Sequence, residues 1–245
     1  MNHLTRSGTL TLGILTLAGC SDTVGPESAL DQTVTLDVAM IAADAAIDEL
    51  SDMGLLFGGG ALGAPSGAST RTRTHTATFF DIDGNEQDTR DALTTASIHL
   101  VIESNHDFDR DTWTATGTRS RDLWITGLEG EETTRIVNGT GSSTVSRSQH
   151  TDDGGTRTHD MTSTSVMQNV VHPVPRADDA WPLSGTITRD VTINVVNGPN
   201  GAVTKTRTVV ITFNGTNLPT MTVDGESFKI DLSTRSGRHP FRRRG

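Results

Sequence analysis

The chain has 245 residues, of which 33% are hydrophobic and 4% aromatic, with three tryptophans and no tyrosine, so its core is thin for its length. The formal charge of −10 hides a division: residues 235–245 carry five arginines and no acid, while residues 20–234 hold 14 basic and 30 acidic side chains. An acidic body repels nucleic acid and anionic membrane faces, so neither is an expected partner of the folded domain.

Residues 1–19 read as an export signal, with Arg6 for positive charge, a short apolar core from Leu10 to Ala18, and small residues before a break. That core is too short to span a bilayer. The run Leu17-Ala18-Gly19-Cys20 closes the signal on the chain's sole cysteine. It resembles the lipobox of bacterial lipoproteins. The resemblance implies that Cys20 is lipidated with a diacylglycerol and an amide-linked acyl chain such as palmitate, after cleavage just before it. Two or three such chains, at about 0.8 kcal/mol per buried CH₂, hold a soluble domain on a membrane almost permanently.

It also implies a cell-envelope address. Ser21, in place of Asp, leans toward the outer membrane, with the protein facing the periplasm or the cell surface. A lipidated Cys20 leaves no thiol, which removes disulfides, thiolate metal sites and cysteine nucleophiles together. The competing reading, a secretory signal with an incidental or buried cysteine, accounts for less, because a free thiol in an exported protein is a liability.

Residues 20–31 have the Gly, Pro and Ser of a tether. Over residues 32–54, Leu36, Met40, Ala43, Ile47 and Leu50 recur at helical spacing and predict one amphipathic helix. Residues 55–69 are a glycine-rich loop. Gly58, Gly60 and Gly63 fit G-x-G-x-x-G in form, but no strand precedes them and Pro65 follows, so the dinucleotide reading fails.

From 70 to 234 the period is two, with threonine at very many alternate positions, as in "TRTRTHTAT". Turn signals fall at "DIDGN" (81), "NHDFDRD" (105), "GLEGEE" (127), "TDDGGT" (151), "NGPNGA" (197) and "VDGES" (223). Short connections imply antiparallel neighbours. The clearest apolar faces are Val191/Ile193/Val195, Val209/Ile211/Phe213, Met221/Val223 and Phe228/Ile230/Leu232. Earlier strands carry polar groups on both faces and pin their register weakly.

The expected fold is mainly β: a single antiparallel meander sheet, able to curl toward a half-barrel, with the N-terminal amphipathic helix packed on it. A sandwich or closed barrel stays open. Residues 235–245 are expected to be a basic disordered tail.

No residue is marked as catalytic, since the G-x-S-x-G, H-E-x-x-H and P-loop motifs are all missing. Asp107, Asp109 and Asp111 resemble the start of a calcium loop, but Thr112 and Thr118 stand where Gly and Glu are needed, which leaves a loose site or a solvated turn. His150, Asp152, Asp153 and His159 flank a hairpin that could place two imidazoles and a carboxylate near one transition metal; the competing reading is polar residues facing water.

Trp113, Trp124 and Trp181 are expected inside the thin core rather than on a sugar-stacking platform. The threonine ladder lacks the fixed repeat of an ice-binding array. "NGT" at 138 and 214 marks turns or bulges. No cofactor is expected. The partners are the membrane, through Cys20, and a protein or lipid component of the envelope. The first functional reading is a non-enzymatic, membrane-anchored binding or structural module. The alternative is a carrier of an apolar or lipid ligand, with Leu55–Gly63 as lid, and a hydrolase comes third.

Overall fold

The computed structural model describes residues 69–110, 113–130, 132–150, 156–174, 180–198, 201–233 and 241–242, together with residues 34, 35, 38, 39 and 45. Among the described residues, eleven strands form one open antiparallel sheet. They are β1 (Ser69–Phe80), β2 (Glu86–Gln87), β3 (Ser97–Arg110), β4 (Trp113–Thr126), β5 (Thr134–His150), β6 (Thr156–Pro173), β7 (Ser184–Gly198), β8 (Gly201–Thr212), β9 (Thr220–Val223), β10 (Glu226–Ile230) and β11 (Phe241–Arg242). The order is β11-β10-β9-β8-β7-β6-β5-β4-β3-β1-β2, a meander from β3 to β11 with β2 folded back outside β1.

The expected alternation holds from end to end. Val191, Ile193, Val195, Val209, Ile211, Phe213, Met221, Val223, Ile230 and Leu232 are buried in one cluster, with Phe228 packed against it. The same cluster continues through Ile187, Met167, Val137, Ile125, Leu123 and Leu100 into the N-terminal half of the sheet. Burying one such side chain contributes about 1.5–3 kcal/mol, so this line of apolar residues fixes which face turns inward. Val34, Val38 and Ala39 belong to the cluster and have helical backbone, as does buried Ala45. The predicted stripe of Leu36, Met40, Ala43, Ile47 and Leu50 lies outside the described residues.

Turn chemistry sets the register. Asp224 (φ 48°) and Gly225 (φ 85°) close β9 on β10 as a two-residue loop with both φ positive, the conformation that Asp-Gly supplies with least strain. Asp81 accepts hydrogen bonds from the backbone N–H and the side-chain amide of Asn85, which together pull its carboxyl below the usual range. Asp91 caps the turn before β3 by accepting from the N–H groups of Leu93 and Thr94, with the same effect on its pKa. The "NGT" at 138 is a bulge. The β5–β6 register shifts between Val137 and Gly139, a Cβ at 139 would run into the Asp122 carbonyl, and Asn138 Oδ1 accepts from the N–H of Asn169 (φ 50°) at 2.8 Å.

Three expectations change. "NHDFDRD" is not a turn at 105: Asn105 to Arg110 pair with β4 to the end of β3, with Arg110 opposite Trp113. The alternating aspartates there serve one face of a strand instead of an Asx turn. The less apolar strands were expected to hold register weakly, yet β1 and β3–β6 pair continuously over 12 to 16 positions, apart from the bulge. Within the predicted basic tail, Phe241 pairs with Ile230 and Arg242 with Lys229, so two of its residues continue the sheet as β11.

Candidate binding surface

The pleat sorts charge by sign. In β1 and β3–β8, every described Lys and Arg side chain stands at the buried alternation: Arg73 on β1, Arg119 and Arg121 on β4, Arg135 and Arg147 on β5, Arg157 on β6, Arg189 on β7, Lys205 and Arg207 on β8. The carboxylates of the same strands, Glu103, Asp107, Asp109, Asp122, Asp160 and Asp190, stand at the other alternation and are exposed. Successive side chains of a strand point to opposite faces, so neighbours such as Arg189 and Asp190 part company across the backbone.

The outer face is built from hydroxyls. One register line runs Thr72, Asn105, Thr118, Thr144, Thr162, Thr192 and Thr206. The next runs Thr74, Glu103, Ser120, Ser142, Thr164, Asp190 and Thr208. Cross-strand bonds stiffen the surface: Thr118 and Thr144 hydroxyls at 2.8 Å, Thr192 and Thr206 at 3.2 Å, Ser146 to Asp160 at 2.7 Å and Thr208 to Asp190 at 2.7 Å.

Where the outward side chains are shortest, a groove of about 520 Å³ opens over Ser120, Ser142, Thr144 and Thr164, flanked by Glu103 and Asp190. A second depression of about 320 Å³ shares Asn105, Thr118, Thr144 and Thr162 with it and extends to Asp107 and Asp160. The surface offers hydroxyl donors and acceptors throughout and carboxylate acceptors at its margins. It suits a polyhydroxylated or cationic ligand and disfavours an anion.

One aromatic cluster stands on the same face. Trp124, expected inside, is 44% exposed; His99 stacks on it at 4.7 Å between ring centroids and Phe80 at 5.5 Å. Its position in β4 is of the outward parity, which the alternation of Leu123 and Ile125 around it could have signalled. Trp181 is half-buried against the core as expected, and the side chain of Trp113 lies outside the described residues. His99 Nε2 is 2.8 Å from Asp122 Oδ1.

Of the sequence-derived metal candidates, His150 pairs with Thr156 and His159 with Arg147, an odd offset that assigns the two positions to opposite faces of the pleat. Neighbouring strands are right for a shared metal and the parity is wrong. Asp152, Asp153 and Asp111 lie outside the described residues, as does Cys20; Asp107 and Asp109 occupy alternate outward positions of β3. No group of three His, Cys, Asp or Glu side chains able to hold a metal occurs among the described residues. The sequence reading missed the hydroxyl groove and the sorting of charge. Their signal was present, since Arg and Asp keep opposite parity in β3, β4, β6 and β7, the long strands that hold both.

Compared with known proteins, the chain matches no family model, and no curated protein or solved structure is significantly similar to it.

Proposed function

We propose that this chain is a lipoprotein of the bacterial cell envelope, held to the outer membrane through lipidated Cys20, whose β domain is a non-enzymatic module that binds an envelope component on its hydroxyl face. In this reading residues 1–19 are removed, 20–31 tether the domain, and the helix at 32–54 covers the inner face of the sheet. Arg207 Nε donating to Thr35 Oγ1 at 3.2 Å, with Val34, Val38 and Ala39 in the core cluster, supports that placement. So does charge: residues 31–54 carry six acids and no Lys or Arg, opposite a face whose described charged side chains in β1 and β3–β8 are cationic.

The observation that carries the binding reading is the groove over Ser120, Ser142 and Thr164, bordered by Glu103 and Asp190 and with Arg119 also in its lining. A carrier of an apolar molecule would need room around Val191, Ile193, Ile211, Phe213 and Ile230. These five are 1–3% exposed and packed into one cluster with Val34 and Val38, which favours the module.

The test has two arms. Cys20→Ser should move the protein from the membrane to the soluble fraction, and unchanged membrane association would sink the anchor. Ser142→Trp fills the groove without touching the core; affinity capture from envelope extracts should lose a component that the parent retains. Identical captured sets at equal folded content would sink the groove.

A further inference from the structure

The chemical class of the groove's ligand, which rests on the hydroxyl-face reading, is set by what stands beside the groove along β4. The outward positions of that strand run Thr118, Ser120, Asp122 and Trp124. Ser120 lines the groove, with Glu103 of β3 and Ser142 of β5 directly opposite it. Two outward positions further on is Trp124, 44% exposed, whereas the other described tryptophan side chain, Trp181, packs against the core.

Single exposed apolar side chains are ordinary, but this one is held in place. His99 stacks on Trp124 at 4.7 Å and sets its Nε2 2.8 Å from Asp122 Oδ1, so one imidazole fixes both the indole and the carboxylate. Phe80 braces the indole at 5.5 Å. Groups fixed before a ligand arrives lose little freedom on binding it.

These groups complement a sugar. A pyranose ring has a face of C–H groups, which an aromatic ring covers, and a rim of hydroxyls, to which carboxylates and Ser or Thr hydroxyls bond. Glu103 and Asp190 outnumber Arg119 in the groove lining, and Asp122 adds a carboxylate beside Trp124, so an acidic sugar is disfavoured. Four residues at about 3.3 Å each set Trp124 about 13 Å from Ser120 along the strand. One sugar ring is too short to touch both, so the ligand has to be a chain of rings laid along β4.

We propose that the outer face of β4 binds an unbranched, uncharged oligosaccharide, with Trp124 covering the face of one ring and Asp122, Ser120, Glu103 and Ser142 bonding the hydroxyls of the rings that follow. The test is calorimetric titration of the full chain carrying Cys20→Ser with cellohexaose and with the hexamer of N-acetylglucosamine. At least one hexamer should bind, and its monosaccharide should bind more weakly by about tenfold or more, since it reaches one part of the site only. Trp124→Ala should weaken the hexamer about tenfold, the upper range for one aromatic contact. Trp124→Phe keeps a ring and should retain most of the affinity, which keeps the result readable if the alanine variant is unstable. Ser142→Trp should weaken binding as well.

Failure of both hexamers to bind the parent would overturn the inference; the groove itself is judged separately, by capture from envelope extracts, which does not depend on the ligand's class. Parent-like affinity in Trp124→Ala with a loss in Ser142→Trp would remove Trp124 from the site and overturn the inference while the groove stood. Parent-like affinity in both variants would place the sugar elsewhere and overturn it too.

Discussion

The two faces of β3–β7 are made by the same strands, alternating residue by residue, and they differ in chemistry. The inner face collects Leu100, Leu123, Met167, Ile187 and Ile193 with the arginines, whereas the outer face collects Thr, Ser, Asp and Glu. A pleat with period two is enough to separate core from surface. Here, in β1 and β3–β8, it also separates the described Lys and Arg from the described carboxylates, and the contrast can be attacked from either side.

The largest effect should come from the backbone that holds the faces in register. Gly185 has φ +102°, and a Cβ there would meet Val170 Cα at 2.5 Å, backbone that cannot swing aside. Gly185→Ala is expected to abolish cooperative unfolding or to lower stability by more than about 3 kcal/mol, the upper range for a strained backbone position, in urea titrations.

Next comes the core. Leu123→Ala, at a side chain with no exposed area, should cost about 2–5 kcal/mol in the same titration. Thr144→Ala, on the outer face, should stay within about 0.5 kcal/mol. A loss at Thr144 as large as that at Leu123 would erase the distinction between the faces.

A smaller effect is expected at Trp124, where Trp124→Ala removes two ring contacts, worth about 0.5–1.5 kcal/mol each beyond burial. The smallest should appear in acid. Asp81 and Asp91 have folded pKa values below their ordinary ones, held there by hydrogen bonds from Asn85 and from the N–H groups of Leu93 and Thr94. Their contribution is therefore present above the unfolded pKa, near 4, and fades as pH falls through the folded value. Asp81→Asn and Asp91→Asn should each shift the urea midpoint at pH 7 slightly and leave it unchanged near pH 2.

The apolar half of this architecture was legible in the sequence. Alternating Val, Ile and Phe from Val191 to Leu232 gave the strands, the buried parity and the single-layer sheet, because a row of branched side chains has one stable place to go. The polar half was not. In "NHDFDRD" the aspartates carry both a turn propensity and a strand parity, and the pairing of β3 along β4 prevailed over the local preference. His150 and His159 looked like a metal pair because sequence shows the hairpin but not its register, and one residue of offset exchanges the faces.

Trp124 was assigned to the core by composition, although its own parity points outward. The groove escaped notice for a related reason: a run of Ser and Thr has no apolar stripe to orient it, and only the register lines up Ser120, Ser142 and Thr164 on one surface.

The two-faced sheet is tested most directly by cysteine labelling along one strand. In the Cys20→Ser background, cysteine is placed singly at Thr162, Ser163, Thr164 and Ser165 of β6, and maleimide labelling is followed under native conditions. Positions 162 and 164 should label rapidly, and 163 and 165 only after denaturant is added. Equal rates at all four positions would contradict the closed inner face and the open outer one.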